Sequence, residues 1–205
     1  MSDARVVLVD YGAGNLRSLR AAFARGGLEP SITDDPGAIA GAQLVVIPGV
    51  GAARPAMAAL RAAGLDRAIA AAVEHGSYLF GVCVGLQLLF ERSEEDDVEC
   101  LGLLPGSVQR LVGARRLPHM GWNDVVPVNG HPLAAPFPAP CYFAHSFAVS
   151  DAPDDVVLAH TSTEGGPFAS LVGRGTVAGA QFHPERSSGA GRETLAAVLR
   201  WAEVA

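Results

Sequence analysis

Cys83 stands in the run Gly81-Val82-Cys83-Val84-Gly85, between the mainly apolar residues 77–80 and 86–90. Small residues on both sides of a strand-to-helix turn display a side chain as the serine of a GxSxG elbow is displayed, here with sulfur in place of oxygen. Unpaired N–H groups at the start of the following helix favour thiolate over thiol, so residue type and place together point to nucleophilic attack by sulfur. Such a nucleophile needs a base, and the base needs a group to orient it. Of the six histidines, His183 follows the apolar stretch 176–182 and has Glu185 two residues on, with Pro184 fixing the backbone between them. In an extended chain those two side chains point the same way about 6 to 7 Å apart, a gap a glutamate can bridge to an imidazole nitrogen. Pro48-Gly49-Val50-Gly51, after one strand and before a helix, can offer the Val50 amide to a developing oxyanion, with the Val84 amide as a second donor. Taken singly, each motif also reads as an ordinary turn or packing feature. Their co-occurrence points to a cysteine hydrolase or transferase.

The elements that must position these groups alternate in the first half of the chain. Residues 5–10, 43–48 and 77–82 read as buried strands, 15–25 as a helix and 55–75 as one or two Ala-rich helices. That alternation implies a parallel sheet with helices on both faces and sites at the carboxyl ends of its strands, where Cys83 lies. Short candidate strands follow at 107–111, 123–128, 141–147, 156–161, 168–172 and 176–182, suggesting antiparallel pairs that extend the sheet. Residues 189–203 read as an amphipathic helix with Leu195, Val198, Leu199 and Ala202 on one face. The five prolines from Pro127 to Pro140 mark an exposed loop.

Composition removes several chemistries. All fifteen basic residues are arginine, so Schiff-base, pyridoxal phosphate and P-loop mechanisms, which need an ammonium group, cannot be intrinsic to the chain. A net charge of -6 argues against nucleic-acid or anionic-membrane partners, with Arg115-Arg116 the basic pair that could meet an acidic one. No apolar run approaches the ~20 residues needed to span a bilayer, and residues 1–5 lead straight into a strand. Cys83, Cys100 and Cys141 are an odd set without paired spacing, which suits a reducing, cytosolic compartment. The length of 205 residues suits a single domain over 1–205. Asp10-Tyr11-Gly12-Ala13-Gly14-Asn15 is a Gly-rich turn, but Arg17 occupies the place of the third dinucleotide-fingerprint glycine. Cys83, His183 and Glu185 lack any CxxC, HxH or HExxH spacing, so neither metal nor cofactor is expected. His75, His131 and His160 read as structural or solvated, whereas His119 and His145 stay open.

Taken together, the segments resemble the class I glutamine amidotransferases, whose triad is Cys, His and Glu. DYGAGN (10–15), PGVG (48–51), GVCVGLQLLFERSEE (81–95), RLPHMGWN (116–123), YFAHSF (142–147) and GAQFHPERS (179–187) resemble, in order, the glutaminase subunits of imidazole glycerol phosphate synthase. The resemblance spans nearly the whole chain. The elbow and HPE are shared across the class, while PHMGWN and DYGxGN are more particular to these subunits. It implies an α/β, flavodoxin-like three-layer fold with a mostly parallel central sheet and an antiparallel extension. It further implies Cys83 as nucleophile, His183 as base and acid, Glu185 as orienter and an oxyanion site at Gly49, Val50 and Val84. Gly51, Gln87, Glu95, His145, Ser146 and Phe147 are implied as the residues that hold L-glutamine. A separate (β/α)₈ cyclase subunit, joined as a heterodimer, is the implied receiver of ammonia, with Tyr11, Asn15, Trp122 and Arg186 as candidate contacts. Low activity of the isolated subunit is expected, the Gly49-Val50 peptide being turned away until the partner binds its acceptor. Two departures stand out: Val84 in place of the usual leucine, and Arg186 where many members carry lysine. A glutaminase of another pathway, such as pyridoxal phosphate synthesis, a peptidase-like relative and a non-catalytic scaffold are the alternatives.

Overall fold

Runs of apolar residues without polar alternation make strands that must be covered on both faces. The computed structural model describes residues 6–113 and 116–204 and builds its first half on such strands. Arg5 and Arg115 lie outside the described residues. The order is β1 (Val6–Val9), α1 (Leu16–Ala24), β2 (Ser31–Thr33), α2 (Pro36–Ala40), β3 (Leu44–Ile47), α3 (Ala53–Ala62), α4 (Leu65–Glu74), β4 (Tyr78–Val82) and α5 (Val84–Gln87). Every residue of β1 and β3 is buried, and because successive side chains point to opposite faces, both faces are covered. The expected 55–75 helical stretch resolves into α3 and α4, separated at Gly64, which takes a left-handed φ of 69°. The three-residue β2 and five-residue α2 have no counterpart in the sequence reading, being too short to show a period. Asp35 starts α2 by accepting from the amides of Gly37 and Ala38.

The second half runs β5 (Arg92–Ser93), β6 (Val98–Glu99), β7 (Ser107–Arg110), β8 (His119–Pro127), β9 (Ala139–His145), β10 (Phe147–Val149), β11 (Val157–Thr163), β12 (Gly166–Arg174), β13 (Val177–Ala180) and α6 (Ser188–Trp201). The parallel block is β2-β1-β3-β4-β13, and the mainly antiparallel extension is β12-β10-β7-β5-β6, in which β5 lies parallel to β7. β11 pairs with both β12 and β8, tying the β8–β9 hairpin to the sheet. The stretch expected as one strand over 141–147 is two: β9 pairs with β8, and after Ser146 the chain crosses to β10, which pairs with β7 and β12. Helices α1 and α6 pack together, and α2 and α3 each pack on α4. As expected, Leu195, Val198, Leu199 and Ala202 of the last helical stretch are buried.

The proline-rich segment 127–140 departs from its expected exposure. Leu133 and Ala134, in the single 3₁₀ turn Pro132–Ala134, and Phe137 are buried, and the Phe137 ring meets Phe182 edge-on with centroids 5.7 Å apart. Prolines punctuate the backbone there, but the apolar residues between them still seek the core. Among the described residues, no helix is long and apolar enough to cross a membrane.

Candidate active site

The parallel strand β4 delivers Cys83 to its carboxyl end. Cys83 has φ 55° and ψ -109°, a conformation that costs a non-glycine residue on the order of 1–3 kcal/mol and persists only where its surroundings impose it. Those surroundings are backbone: the Cys83 amide donates to the Ala180 carbonyl of the neighbouring strand, and the Cys83 carbonyl accepts from Gln87. The close approach depends on Gly85, where a Cβ would fall 2.0 Å from the Ile47 carbonyl oxygen, and on Gly49, where one would fall 2.3 Å from the Gly85 nitrogen. The elbow and the Pro48–Gly51 loop are thus pressed main chain to main chain. The helix after the elbow is shorter than the apolar run 86–90 suggests. It ends at Gln87, after which Leu89 donates to Leu86 and Phe90 to Gln87 in tight i to i-3 turns.

His183 and Glu185 meet as expected, although by a different backbone route. Instead of an extended i, i+2 pair, Glu185 sits in the single 3₁₀ turn Pro184–Arg186, and His183 Nδ1 lies 3.1 Å from Glu185 Oε1. Both side chains are almost fully buried. Ser187, which the sequence does not single out, staples this turn to β9: its hydroxyl donates to the His183 carbonyl at 2.7 Å and accepts from the Tyr142 amide at 2.9 Å. Burial opposes a charge on His183, but its hydrogen bonds and charge interactions with Cys83 and Glu185 outweigh that and raise its pKa to about 10. The imidazole can therefore stay protonated at neutral pH beside the sulfur.

A cavity of about 200 Å³ opens beside the sulfur, lined by Val50, Gly51, Cys83, Val84, Gln87, Glu95, Ala144, His145, Ser146, Phe147, His183 and Arg186. Every residue assigned from sequence to glutamine is in its wall. Gly49 lies just behind, against the elbow. Glu95 Oε2 accepts from the first amide of α3, that of Ala53, at 3.0 Å. Burial raises the Glu95 pKa against that bond, with Asp96 adding to the rise.

His119, left open by the sequence, belongs to the wall's support. His145 Nδ1 lies 2.9 Å from the Phe147 carbonyl, His119 Nδ1 lies 3.1 Å from His145 Nε2, and Asn123 Nδ2 reaches both His119 Nε2 at 3.3 Å and the Ser162 carbonyl at 3.0 Å. The two carbonyls can only accept, so each histidine is neutral with its proton on Nδ1. Burial lowers both pKa values, that of His145 to about 3 despite its bond to Phe147 and with the help of His119 and His183. Unfolded His145 takes a proton near pH 6.5 and the native residue only near 3, so stability should fall as pH drops through that interval, by about 1.4 kcal/mol per unit at the steepest. His183 works with the opposite sign, its contribution being complete below about 6.5 and lost as pH rises towards about 10. Urea unfolding of the chain and of His145→Gln from pH 7 to 4 is expected to show a shallower acid decline in the variant. Parallel declines would remove His145 from the account.

The four candidate partner contacts separate. Trp122 is 54% exposed on β8, flanked along the same face by exposed Met120 and Val126. Its ring lies 6.3 Å from Tyr142, which in turn lies 6.4 Å from His183 and carries the Arg186 guanidinium 4.3 Å above its face. Asn15 is exposed at the start of α1 and caps no amide with its side chain. Tyr11 is turned inward, 8% exposed, with its hydroxyl donating to the Pro48 carbonyl at 2.6 Å. Burial, with Cys83 nearby, pushes its pKa far up, and its hydrogen bond ties the loop down beside the elbow.

Comparison with known proteins places the fold. The family model for class I glutamine amidotransferases matches residues 7–199. The chain is 46% identical to the imidazole glycerol phosphate synthase subunit HisH of Symbiobacterium thermophilum over 196 residues, 94% of this chain and 92% of that one. It is also 46% identical to HisH of Xylella fastidiosa over 199 residues, 95% and 94% of the two chains. Among solved structures, a glutamine amidotransferase superposes with a TM-score of 0.79 at 23% identity, covering 97% of this chain and 99% of that one. PurLQS from Thermotoga maritima follows at 0.74 and 23%, with the same coverage, and both share the fold. The chain belongs to the class I glutamine amidotransferase family and, within it, to the HisH subunits of imidazole glycerol phosphate synthase.

Proposed function

We propose that this chain hydrolyses L-glutamine to L-glutamate and ammonia through a thioester on Cys83, as the glutaminase subunit of imidazole glycerol phosphate synthase. Ammonia passes to a separate (β/α)₈ cyclase subunit, which makes imidazole glycerol phosphate and an aminoimidazole carboxamide ribotide in histidine biosynthesis. The observation that carries this reading is one cavity uniting a strained, displayed cysteine with a buried His183–Glu185 pair in a HisH-like chain.

In the reaction, the Cys83 sulfur attacks the carboxamide carbon and the C=O electron pair moves onto oxygen, which the Val50 and Val84 amides receive. The tetrahedral intermediate collapses, the C–N bond breaks, and His183 gives its proton to the departing nitrogen, releasing NH₃ and leaving a glutamyl thioester. Neutral His183 then takes a proton from water, whose oxygen attacks the thioester carbonyl; the C–S bond breaks, glutamate is released, and the sulfur stays on Cys83 beside the protonated imidazole. Glu185 holds the imidazole and offsets its charge. Glu95, at the cavity wall with one oxygen committed to Ala53, offers its other oxygen to the substrate ammonium group. Gln87, Gly51 and the His145–Phe147 segment shape the remainder.

Glutamate release should be slow for the chain alone and rise when the cyclase and its acceptor are added. No release even with the cyclase present would favour a scaffold, and full release without it would end the gating idea. Release stimulated only by a different partner would assign the chain to another pathway. Trp122 on its exposed strip is the expected anchor of the cyclase contact. Trp122→Ala should weaken association by about 30-fold, the size of a hot-spot loss, while leaving glutamine-analogue labelling of Cys83 intact. Unchanged affinity by calorimetry would place the contact elsewhere.

A further inference from the structure

Gln181 has no part in the triad, the oxyanion donors or the set of residues expected to hold glutamine, yet it touches the nucleophile. It lies just beyond β13, two residues before His183, and is fully buried. Its Nε2 is 3.7 Å from Cys83 Sγ, within the range of an N–H to sulfur hydrogen bond. Its Oε1 accepts from Gln87 Nε2 at 3.1 Å, and the same Gln87 nitrogen donates to the Phe147 carbonyl at 2.8 Å.

An amide can be turned end for end, so the direction of this chain has to be fixed from outside. The Phe147 carbonyl fixes it. A peptide oxygen only accepts, so the Gln87 nitrogen must face it. The second hydrogen of that nitrogen then finds the Gln181 oxygen, which leaves the Gln181 nitrogen facing sulfur. The polarity at Sγ is therefore written into the main chain at Phe147 and transmitted through two buried amides. A donor aimed at sulfur binds the anion better than the thiol, and its burial means that no water competes for the role. The strained Cys83 backbone sets where the sulfur sits, and Gln181 adds a fixed dipole at that position.

We propose that Gln181 is a fourth catalytic residue, whose Nε2–H, oriented by Gln87 and the Phe147 carbonyl, stabilises the attacking Cys83 thiolate. The assignment rests on the glutaminase reading of the same site, but its test does not need glutamine. Gln181→Glu keeps the shape and the acceptor for Gln87 while replacing the donor at sulfur by an oxygen. Gln181→Met keeps most of the volume and removes both polar ends. Both variants and the parent chain are treated with iodoacetamide at pH 7, and modification at Cys83 is followed by peptide mass spectrometry, which separates it from Cys100 and Cys141. Circular dichroism selects the variants that fold. In parallel, kcat and KM for L-glutamine are measured in the complex with the cyclase.

Alkylation of Cys83 is expected to slow by about 10- to 100-fold in each folded variant, the effect of losing one hydrogen bond to a charged group. The same loss should appear in kcat, with KM for glutamine within about twofold of the parent. A purely structural role, that of anchoring Gln87, would leave Gln181→Glu close to the parent in both alkylation and kcat, and that outcome overturns the proposal. If the parent chain and cyclase together released no glutamate, the glutaminase reading would fall by itself, and the alkylation rates would still decide what Gln181 does to the sulfur.

Discussion

Cys83→Ala is expected to abolish glutamine hydrolysis, lowering kcat by on the order of 10⁶, as loss of a covalent nucleophile does elsewhere. No partial substitute exists nearby: Cys100 and Cys141 lie outside the cavity, and burial pushes their thiols up to about 11 and about 12. Mass spectrometry after exposure to a glutamine-analogue electrophile should find one adduct on the parent chain and none on the variant. Turnover retained in Cys83→Ala would end the thioester mechanism. The backbone makes a second readout available. Alanine inherits the φ of 55° and its strain, whereas glycine occupies that region freely. Cys83→Gly, equally inactive, should therefore be more stable than Cys83→Ala by about 1 kcal/mol, and equal urea midpoints would mean that the elbow is not strained.

The second large effect lies two residues on. In Gly85→Ala the new methyl would fall 2.0 Å from the Ile47 carbonyl oxygen and 2.8 Å from its carbon, and neither belongs to a side chain that can rotate away. Either β3 moves or the elbow does, and both carry active-site groups. Loss of about 4 kcal/mol or more, at the severe end for single substitutions, is expected together with loss of Cys83 labelling. Gly130→Ala is the control, since its Cβ meets nothing within 4 Å and its backbone is not left-handed. That variant should stay within about 0.5 kcal/mol of the parent. A Gly85→Ala protein with the parent's midpoint and labelling rate would show that the contact between elbow and loop is soft.

What the sequence disclosed follows from the range of the interactions concerned. Strand and helix alternation in the first half is written in local periodicity, and the Gly-flanked Cys83 and the His-Pro-Glu turn are local too. The pairing of His119 with His145 arises because β8 and β9 place those two residues opposite one another, a register no local pattern states. A clue was present in the two histidines, each beginning or ending an otherwise apolar stretch, but not in their spacing. Gln181 was hidden because a glutamine beside a catalytic histidine has no distinctive chemistry until its neighbours are known. The inward turn of Tyr11 is equally non-local, set by the Pro48 carbonyl that accepts its hydroxyl. In the proline-rich stretch the punctuation points outward, but Leu133 and Phe137, four residues apart, are both in the core.

The chain of bonds from Asn123 through His119 and His145 to the Phe147 carbonyl has an electrical consequence. A proton wire needs a mobile hydrogen at one end and a base at the other, but here each end is a peptide oxygen that will not take up a proton. Any transfer along the two imidazoles would leave one of those oxygens facing a bare ring nitrogen or an unbonded amide. The branch through Gln87 and Gln181 is no more conductive, because carboxamides neither gain nor lose protons near neutrality. The wall of the cavity therefore behaves as an insulator. Charge that appears on His183 during turnover cannot drain towards β8, and it stays beside the sulfur, where the leaving nitrogen needs it.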